Sequence, residues 1–294
     1  MVSSRQLEYF QAVARELHFT RAARALHIAQ PALSQQIRKL ERQLGVDLFE
    51  RNNHRVQLTP AGSALLAHAE RILSDLAAVD EELTSWAHGV RGTVRLGTAR
   101  ALAAPLSRML SVFCESYPDV DIVLREESTQ AMTADLQAGR LDVATLAALP
   151  SSEDDRLSVY SLGPQPLVLI AGAATPLGRR RRVPLTALDG VDLVLYSPGS
   201  AVRDVIVSAL ATAGAQPRFR FETREYNTAR ALASSGLAAA ILPQCVADEP
   251  GWPVAVVRLR PEPTWTPALT WSAVRRPTPA LTAFLDFART RLRL

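Results

Sequence analysis

Near the start of the chain the apolar positions recur with helical spacing. Leu7, Phe10, Val13, Ala14 and Leu17 fall on one stripe, which predicts an amphipathic helix over about 5–16. Thr20 then reads as an N-cap, followed by a short second helix over 21–26. Residues 27–30 form a turn. Pro31 fits the first turn of a third helix, where its missing N–H costs nothing. That helix puts Leu33, Ile37, Leu40 and Leu44 on one face and stops at Gly45, a C-cap residue. Its free face carries Ser34, Gln35, Arg38 and Arg42, which can hydrogen-bond base edges or phosphates. Leu48 and Phe49 are apolar anchors. The basic segment 51–55 and the alternating Val56-Gln57-Leu58 then predict a β-hairpin wing with a charged tip. Two closely connected helices, the second polar and basic outside, form a helix-turn-helix whose second helix fits a DNA major groove. A small bundle with a solvated face is the alternative.

Beyond Thr59-Pro60-Ala61-Gly62 the apolar positions are Leu65, Ala69, Ile72, Leu76, Val79, Leu83 and Trp86. Their spacing alternates between four and three, a heptad seam that favours a paired helix and hence a homodimer. Packing of the seam on its own domain is the alternative. Gly89 and Gly92 break this helix, so a hinge is expected at about 88–92. From there short apolar strands alternate with helices. Strands are expected at 94–96, 120–124, 141–146, 167–171, 193–196, 219–223 and 238–242, with helices at 105–117, 131–138, 201–213 and 227–235. Strands with helical crossovers predict an α/β domain. The organisation is thus 1–60, 61–88 and 89–294.

Composition adds little until it is located. The 294 residues suggest about two domains. The chain carries 33 cations and 29 anions, a net charge of +4. Residues 1–60 hold nine cations and five anions, so that segment carries the whole excess. Such asymmetry is what phosphate neutralisation requires. With no signal peptide and no apolar run long enough to span a bilayer, a soluble cytoplasmic protein with no membrane partner is expected. Cys114 and Cys245 read as two small buried residues, with a redox pair as the alternative. The run Arg179–Arg182 reads as a solvated loop, with DNA contact as the alternative.

Together, Phe19-Thr20-Arg21-Ala22-Ala23, Gln30-Pro31-Ala32-Leu33-Ser34-Gln35-Gln36-Ile37, Leu40-Glu41, Leu48-Phe49-Glu50-Arg51 and Leu58-Thr59-Pro60-Ala61-Gly62 resemble the LysR-type transcriptional regulators. The hinge 91–97 and segments 136–144 and 234–243 extend the resemblance over the chain. It implies an α/β protein with an N-terminal all-α winged helix-turn-helix, a long linker helix and a C-terminal two-lobed effector domain like type 2 periplasmic binding proteins. Lobe one would be about 92–162 and 268–294, and lobe two about 163–267. It further implies promoter DNA and a small-molecule effector as partners, and a homotetramer built as a dimer of dimers. By the same resemblance Thr20 is a phosphate-contacting N-cap. Gln30, Pro31, Ser34, Gln35 and Arg38 begin and face the recognition helix, and Arg51 and Arg55 belong to the wing. Thr98, Ser128, Thr129, Ser200, Val202, Arg203 and Asn227 match effector-contacting positions, with Asn227 on a loop.

The residues themselves support a cleft. Thr98, Thr129 and Ser200 fall where strands end and helices begin, where ligands of α/β folds gather. Arg100 and Arg203 could grip a carboxylate from two sides, so the effector is expected to be an organic anion. Catalysis is not expected. All five histidines precede residue 90, and no phosphate-binding or nucleophile-elbow motif occurs. No cofactor or metal is expected either. A solute-binding protein is countered by the basic N-terminal domain. The cysteines lack the close spacing of the family's peroxide sensors.

Overall fold

A computed structural model describes residues 2–52, 55–147 and 155–292. The chain forms two compact units, 1–89 with 138–140, and 90–137 with 141–294.

The first unit begins with α1 (Ser4–Glu16), α2 (Phe19–Ala25) and α3 (Gln30–Leu44). Helix α1 starts at a capping box, in which Ser3 Oγ accepts from Gln6 N–H and the Gln6 side chain accepts from Ser3 N–H. The cap of α2 is His18, whose Nδ1 accepts from Arg21 N–H at 3.4 Å. Thr20, expected as that cap, lies within the first turn and is exposed, because the helix starts earlier than its best capping residue type suggests. Phe10, Val13, Leu33, Ile37 and Leu40 are fully buried and form the core with Leu48. Leu44 is exposed, so the apolar face of α3 ends one turn earlier than its spacing predicts.

Strands β1 (Phe49–Asn52) and β2 (Arg55–Leu58) form the antiparallel wing. Its tip, 53–54, lies outside the described residues. Phe49 joins the wing to the core through ring contacts with Phe10 and Phe19 at 5.3 and 5.8 Å. Helix α4 (Pro60–His88) follows. Thr59 ties its start to the strand, donating from Oγ1 to the Asp47 carbonyl at 2.8 Å and from its N–H to the Leu48 carbonyl at 3.1 Å. Gly62 packs directly on that carbonyl. Ala69 is buried in the core, whereas Ile72, Leu76, Val79, Leu83 and Trp86 are exposed, Trp86 by 83%. Only the first turns of the seam therefore pack on their own unit.

The second unit has two lobes. In lobe one, β3 (Gly92–Thr98), α5 (Ala103–Ser116), β4 (Val120–Glu126), α6 (Thr129–Ala138), β5 (Val143–Ala147) and β6 (Leu157–Ser161) come first. Lobe two contains β7 (Gln165–Ala171), β8 (Arg182–Pro184), β9 (Asp192–Tyr196), α7 (Ala201–Ala213), β10 (Arg218–Thr223), α8 (Tyr226–Ser234), β11 (Ala239–Pro243), α9 (Gln244–Ala247), β12 (Ala255–Arg260) and the short β13 (Thr264–Trp265). The chain then returns to lobe one with β14 (Pro267–Ser272) and α10 (Pro279–Arg291).

Lobe one is a five-stranded sheet of order β4-β3-β5-β14-β6. Phe113 packs against Phe284 of α10 at 5.4 Å between ring centroids, within one core of that lobe. Met132, Leu136 and Leu141 form a second, beneath α6. Lobe two is a sheet of order β10-β9-β11-β7-β12-β8, with β13 beside β7. Two connections thus cross between the lobes, at β6–β7 and β13–β14. Among the described residues no helix is long and apolar enough to cross a membrane.

A Cβ at Gly62 would stand 2.1 Å from the Leu48 carbonyl oxygen. Backbone cannot swing aside as a side chain can. Gly62→Ala is expected to cost about 1–3 kcal/mol of stability; a urea unfolding midpoint unchanged from wild type would contradict this packing.

Candidate nucleic-acid interface and ligand cleft

The outer face of α3 is polar by sequence and open by fold. Gln30, Pro31, Gln35, Arg38 and Arg42 are exposed and Ser34 is half-buried. Gln30 Nε2 donates to Ser34 Oγ at 2.9 Å, so two candidate DNA-contacting side chains are already oriented by each other. No side chain caps the N-terminus of α3, since Ala29 occupies the cap position. Its first backbone N–H groups remain available for an anion. A surface groove of about 950 Å³ runs beside this face, from Gln30 past the helix end to Asp47. Arg51 and Arg55 stand on the two wing strands, paired with Val56 and Asn52.

Sequence reasoning overlooked Glu41. Its buried carboxylate accepts from Leu48 N–H at 3.1 Å and Phe49 N–H at 3.4 Å, fastening the wing strand to the recognition helix. The only available signal was its position among apolar core residues.

In the second unit a cleft of about 500 Å³ opens between the lobes. Arg100, Ser128, Thr129, Ser200 and Val202 line it, together with Ala99, Glu126, Glu127, Arg224, Tyr196, Tyr226 and Trp265. Three other candidate residues lie elsewhere. Thr98 is fully buried; its hydroxyl donates to the Ala99 carbonyl at 3.2 Å and accepts from Thr145 Oγ1 at 3.3 Å. Thr145 Oγ1 also accepts from Ala99 N–H at 2.9 Å. This knot fixes the strand exit from which Arg100 projects, so Thr98 positions the site and does not face it. Arg203 donates to the Tyr196 carbonyl and, at 3.3 Å, to Glu222. The expected grip of Arg100 and Arg203 on one carboxylate is therefore not assembled, because Arg203 satisfies local acceptors. Asn227 is exposed in the first turn of α8, in line with the helix expected at 227–235 and not on the loop the resemblance implies.

Arg100 holds the electrostatic centre of the cleft. Its Nε lies 3.3 Å from Glu225 of lobe two and 3.8 Å from Glu126 of lobe one. That nitrogen is nevertheless buried without a hydrogen-bond acceptor. Tyr196 Oη and Trp265 Nε1, of cleft-lining residues in lobe two, share this condition. Burial, with a smaller contribution from Tyr226, holds the Tyr196 hydroxyl well above the ordinary tyrosine range, so it stays protonated and able to donate. Tyr226 stacks edge-on against it at 4.7 Å between ring centroids. Helix α7 begins at Ser200 with no side-chain cap, adding backbone N–H donors. The turn before it runs through Gly199 at φ 86°, where a Cβ would stand 3.5 Å from Ser128 Cβ across the cleft. A wall with this much donor capacity accommodates an acceptor-rich group.

Two family models span nearly the whole chain. "Bacterial regulatory helix-turn-helix protein, lysR family" matches residues 4–63 and "LysR substrate binding domain" matches residues 87–293. The chain belongs to the LysR family. It is a DNA-binding transcription regulator with an effector-binding domain, and the curated relatives it matches are regulators, not enzymes. Among them, the uncharacterized HTH-type transcriptional regulator YnfL of Escherichia coli K12 is 38% identical, over 82% of either chain. The dual regulator OxyR of the same strain is 30% identical over 91% of this chain and 88% of its own. A full-length OxyR variant from Pseudomonas aeruginosa superposes with a TM-score of 0.76 at 25% identity, covering all of this chain and 95% of its own. Full-length CbnR in complex with its target DNA gives 0.73 at 26%, covering 99% and 100%.

Cys114 is exposed on α5 of lobe one, contrary to the buried position expected. Cys245 is half-buried on α9 of lobe two, donating to the Ala101 carbonyl at 3.4 Å, and burial pushes its thiol up, away from reactivity. Among the described residues no group of three His, Cys, Asp or Glu could hold a metal.

A buried hydroxyl without a partner costs stability. Tyr196→Phe is therefore expected to leave the ligand-free protein as stable as wild type, or more stable by about 1–3 kcal/mol. A loss of stability on chemical unfolding would show that Oη has a partner in the folded chain.

Proposed function

We propose that this LysR regulator works in the cytoplasm as a homodimer, paired further into a tetramer, that reads double-stranded promoter DNA through α3 and the wing. Ser34, Gln35 and Arg38 would contact base edges, with Gln30, Pro31, Thr20, Arg51 and Arg55 toward the backbone. One observation carries this reading: the polar face of α3 is exposed while its opposite face is locked to the wing by Glu41. The dimer rests on the exposed seam from Ile72 to Trp86, an apolar stripe that water disfavours and a second copy would cover.

Fluorescence anisotropy on the DNA upstream of its own gene, against scrambled DNA across a salt series, tests the reading. Tight binding to the native sequence, weakening steeply with salt, is expected. Ser34→Ala combined with Gln35→Ala should shrink that preference, each good base contact being worth roughly 1–3 kcal/mol. Undiminished discrimination by the double variant would remove these residues from base readout.

We infer further that the effector is a small organic anion. Arg100, Ser128, Thr129, Ser200 and Val202 line its cleft, and Arg100 Nε, Tyr196 Oη and Trp265 Nε1 lack hydrogen-bond acceptors. Glu127 at the same cleft favours one variation, an anion that also carries an amino group. Calorimetry with carboxylates, amines and neutral molecules of matched size distinguishes these. Carboxylates should bind, and Arg100→Gln should weaken them about 10-fold or more, as expected for a charge-assisted bond. Binding by amines and neutral molecules alone would end the anion reading.

A further inference from the structure

Strand β8 forms one edge of the lobe-two sheet and pairs in parallel with β12. Register sets Arg182 beside Arg258 and Pro184 beside Arg260. Strand alternation turns Val183, Val257 and Leu259 into the core and leaves Arg182, Arg258 and Arg260 outside. Arg179, Arg180 and Arg181 lead into β8, all exposed. The N–H of Arg258 donates to the Arg181 carbonyl at 3.1 Å, which holds the run against the strand. Six guanidinium groups thus share one edge.

None of the six makes an ion pair among the described residues. The opposite edge of the same sheet is built differently. There Arg218 and Arg220 both bind Asp192, the latter at 3.0 Å, and together they hold that carboxyl down at about 2. One edge neutralises its arginines and the other gathers them without a carboxylate. Like charges in neighbouring register positions repel, so an external anion is the natural counterpart.

We propose that the β8–β12 edge is a second DNA-binding surface, engaging phosphates of duplex outside the stretch read by α3. This rests on the chain's being a DNA-binding regulator. Arginine forks suit phosphate oxygens. Residues 179–184 and 255–260 contain no aromatic side chain, and an interface with an acidic protein would be expected to carry such anchors.

The test uses the full-length protein and two duplexes, the footprint alone and the footprint extended by about three helical turns on each side. Wild type should bind the long duplex more tightly and with a steeper salt dependence. The variant with Arg179, Arg181, Arg258 and Arg260 all changed to Gln should lose about 3–4 from the log–log salt slope on the long duplex for each subunit whose edge engages it, about 0.9 per phosphate contact. Its binding to the short duplex should be unchanged, which also establishes that it is folded. The corresponding four-Lys variant should retain most of the slope. An unchanged slope on the long duplex, the result if the edge serves an acidic protein, overturns the proposal. So does a loss shared equally by both duplexes. If wild type binds neither duplex, the reading of α3 fails together with it.

Discussion

A cation set between two lobes must be neutralised, and in this chain Arg100 imposes that demand. It leaves lobe one at the strand exit fixed by Thr98 and Thr145, and its nearest carboxylate belongs to lobe two. The Arg100–Glu225 pair is therefore both an interaction within the cleft and a link across it. Glu126 of lobe one lies farther away at 3.8 Å. These groups are all partly exposed, so the pair is screened and individually weak. A weak link can be exchanged: on the proposed anion reading, a ligand carrying its own carboxylate would compete for Arg100 on equal terms with Glu225.

The regulator's two halves meet this demand for partners in different ways. In the effector domain, buried donor atoms of cleft-lining residues lack acceptors. In the N-terminal unit, apolar side chains of α4 face solvent without a neighbour. Burying the seam from Ile72 to Trp86 against a second copy would remove large side chains from water, each worth roughly 1.5–3 kcal/mol at full burial. Association of that kind is concentration-dependent. On the proposed reading it also decides DNA affinity, because two recognition helices matched to two half-sites bind far better than one.

The architecture was legible wherever residue type and period agreed. Residues 201–213 were readable as a helix at the boundaries α7 has, because its apolar spacing, Ser200 and Gly214 all point the same way. The free face of α3 was equally plain. Cleft residues after strand ends could be located by the general rule that ligands collect there. Other features depended on distant contacts. Tyr196 ends an expected strand, and nothing local shows that its buried Oη, or the Nε1 of Trp265, lacks an acceptor. Strands β6, β8, β12 and β14 went unread, being short or dependent on partners far along the chain. The direction of Arg203 toward a carbonyl seven residues back is invisible to spacing. Thr20 has the residue type of a cap, while α2 begins at Phe19 and is capped by His18.

Allosteric control needs a ligand that distinguishes two arrangements; equal affinity for both shifts nothing. The cleft offers a specific source of that difference. In the structure Arg100 of lobe one pairs with Glu225 of lobe two. A bound anion taking Arg100 would leave Glu225 without its cation, so the attraction that joined the lobes at that point would act through the ligand instead. Tyr196, Trp265 and the uncapped start of α7 all belong to lobe two. On the proposed anion reading, an anion held by them and by Arg100 would draw the lobes together through a shape set by the ligand's length, whereas the Arg100–Glu225 pair does so at one fixed distance. Effector size would then be read as lobe separation, which gives the regulator a physical basis for telling one anion from another.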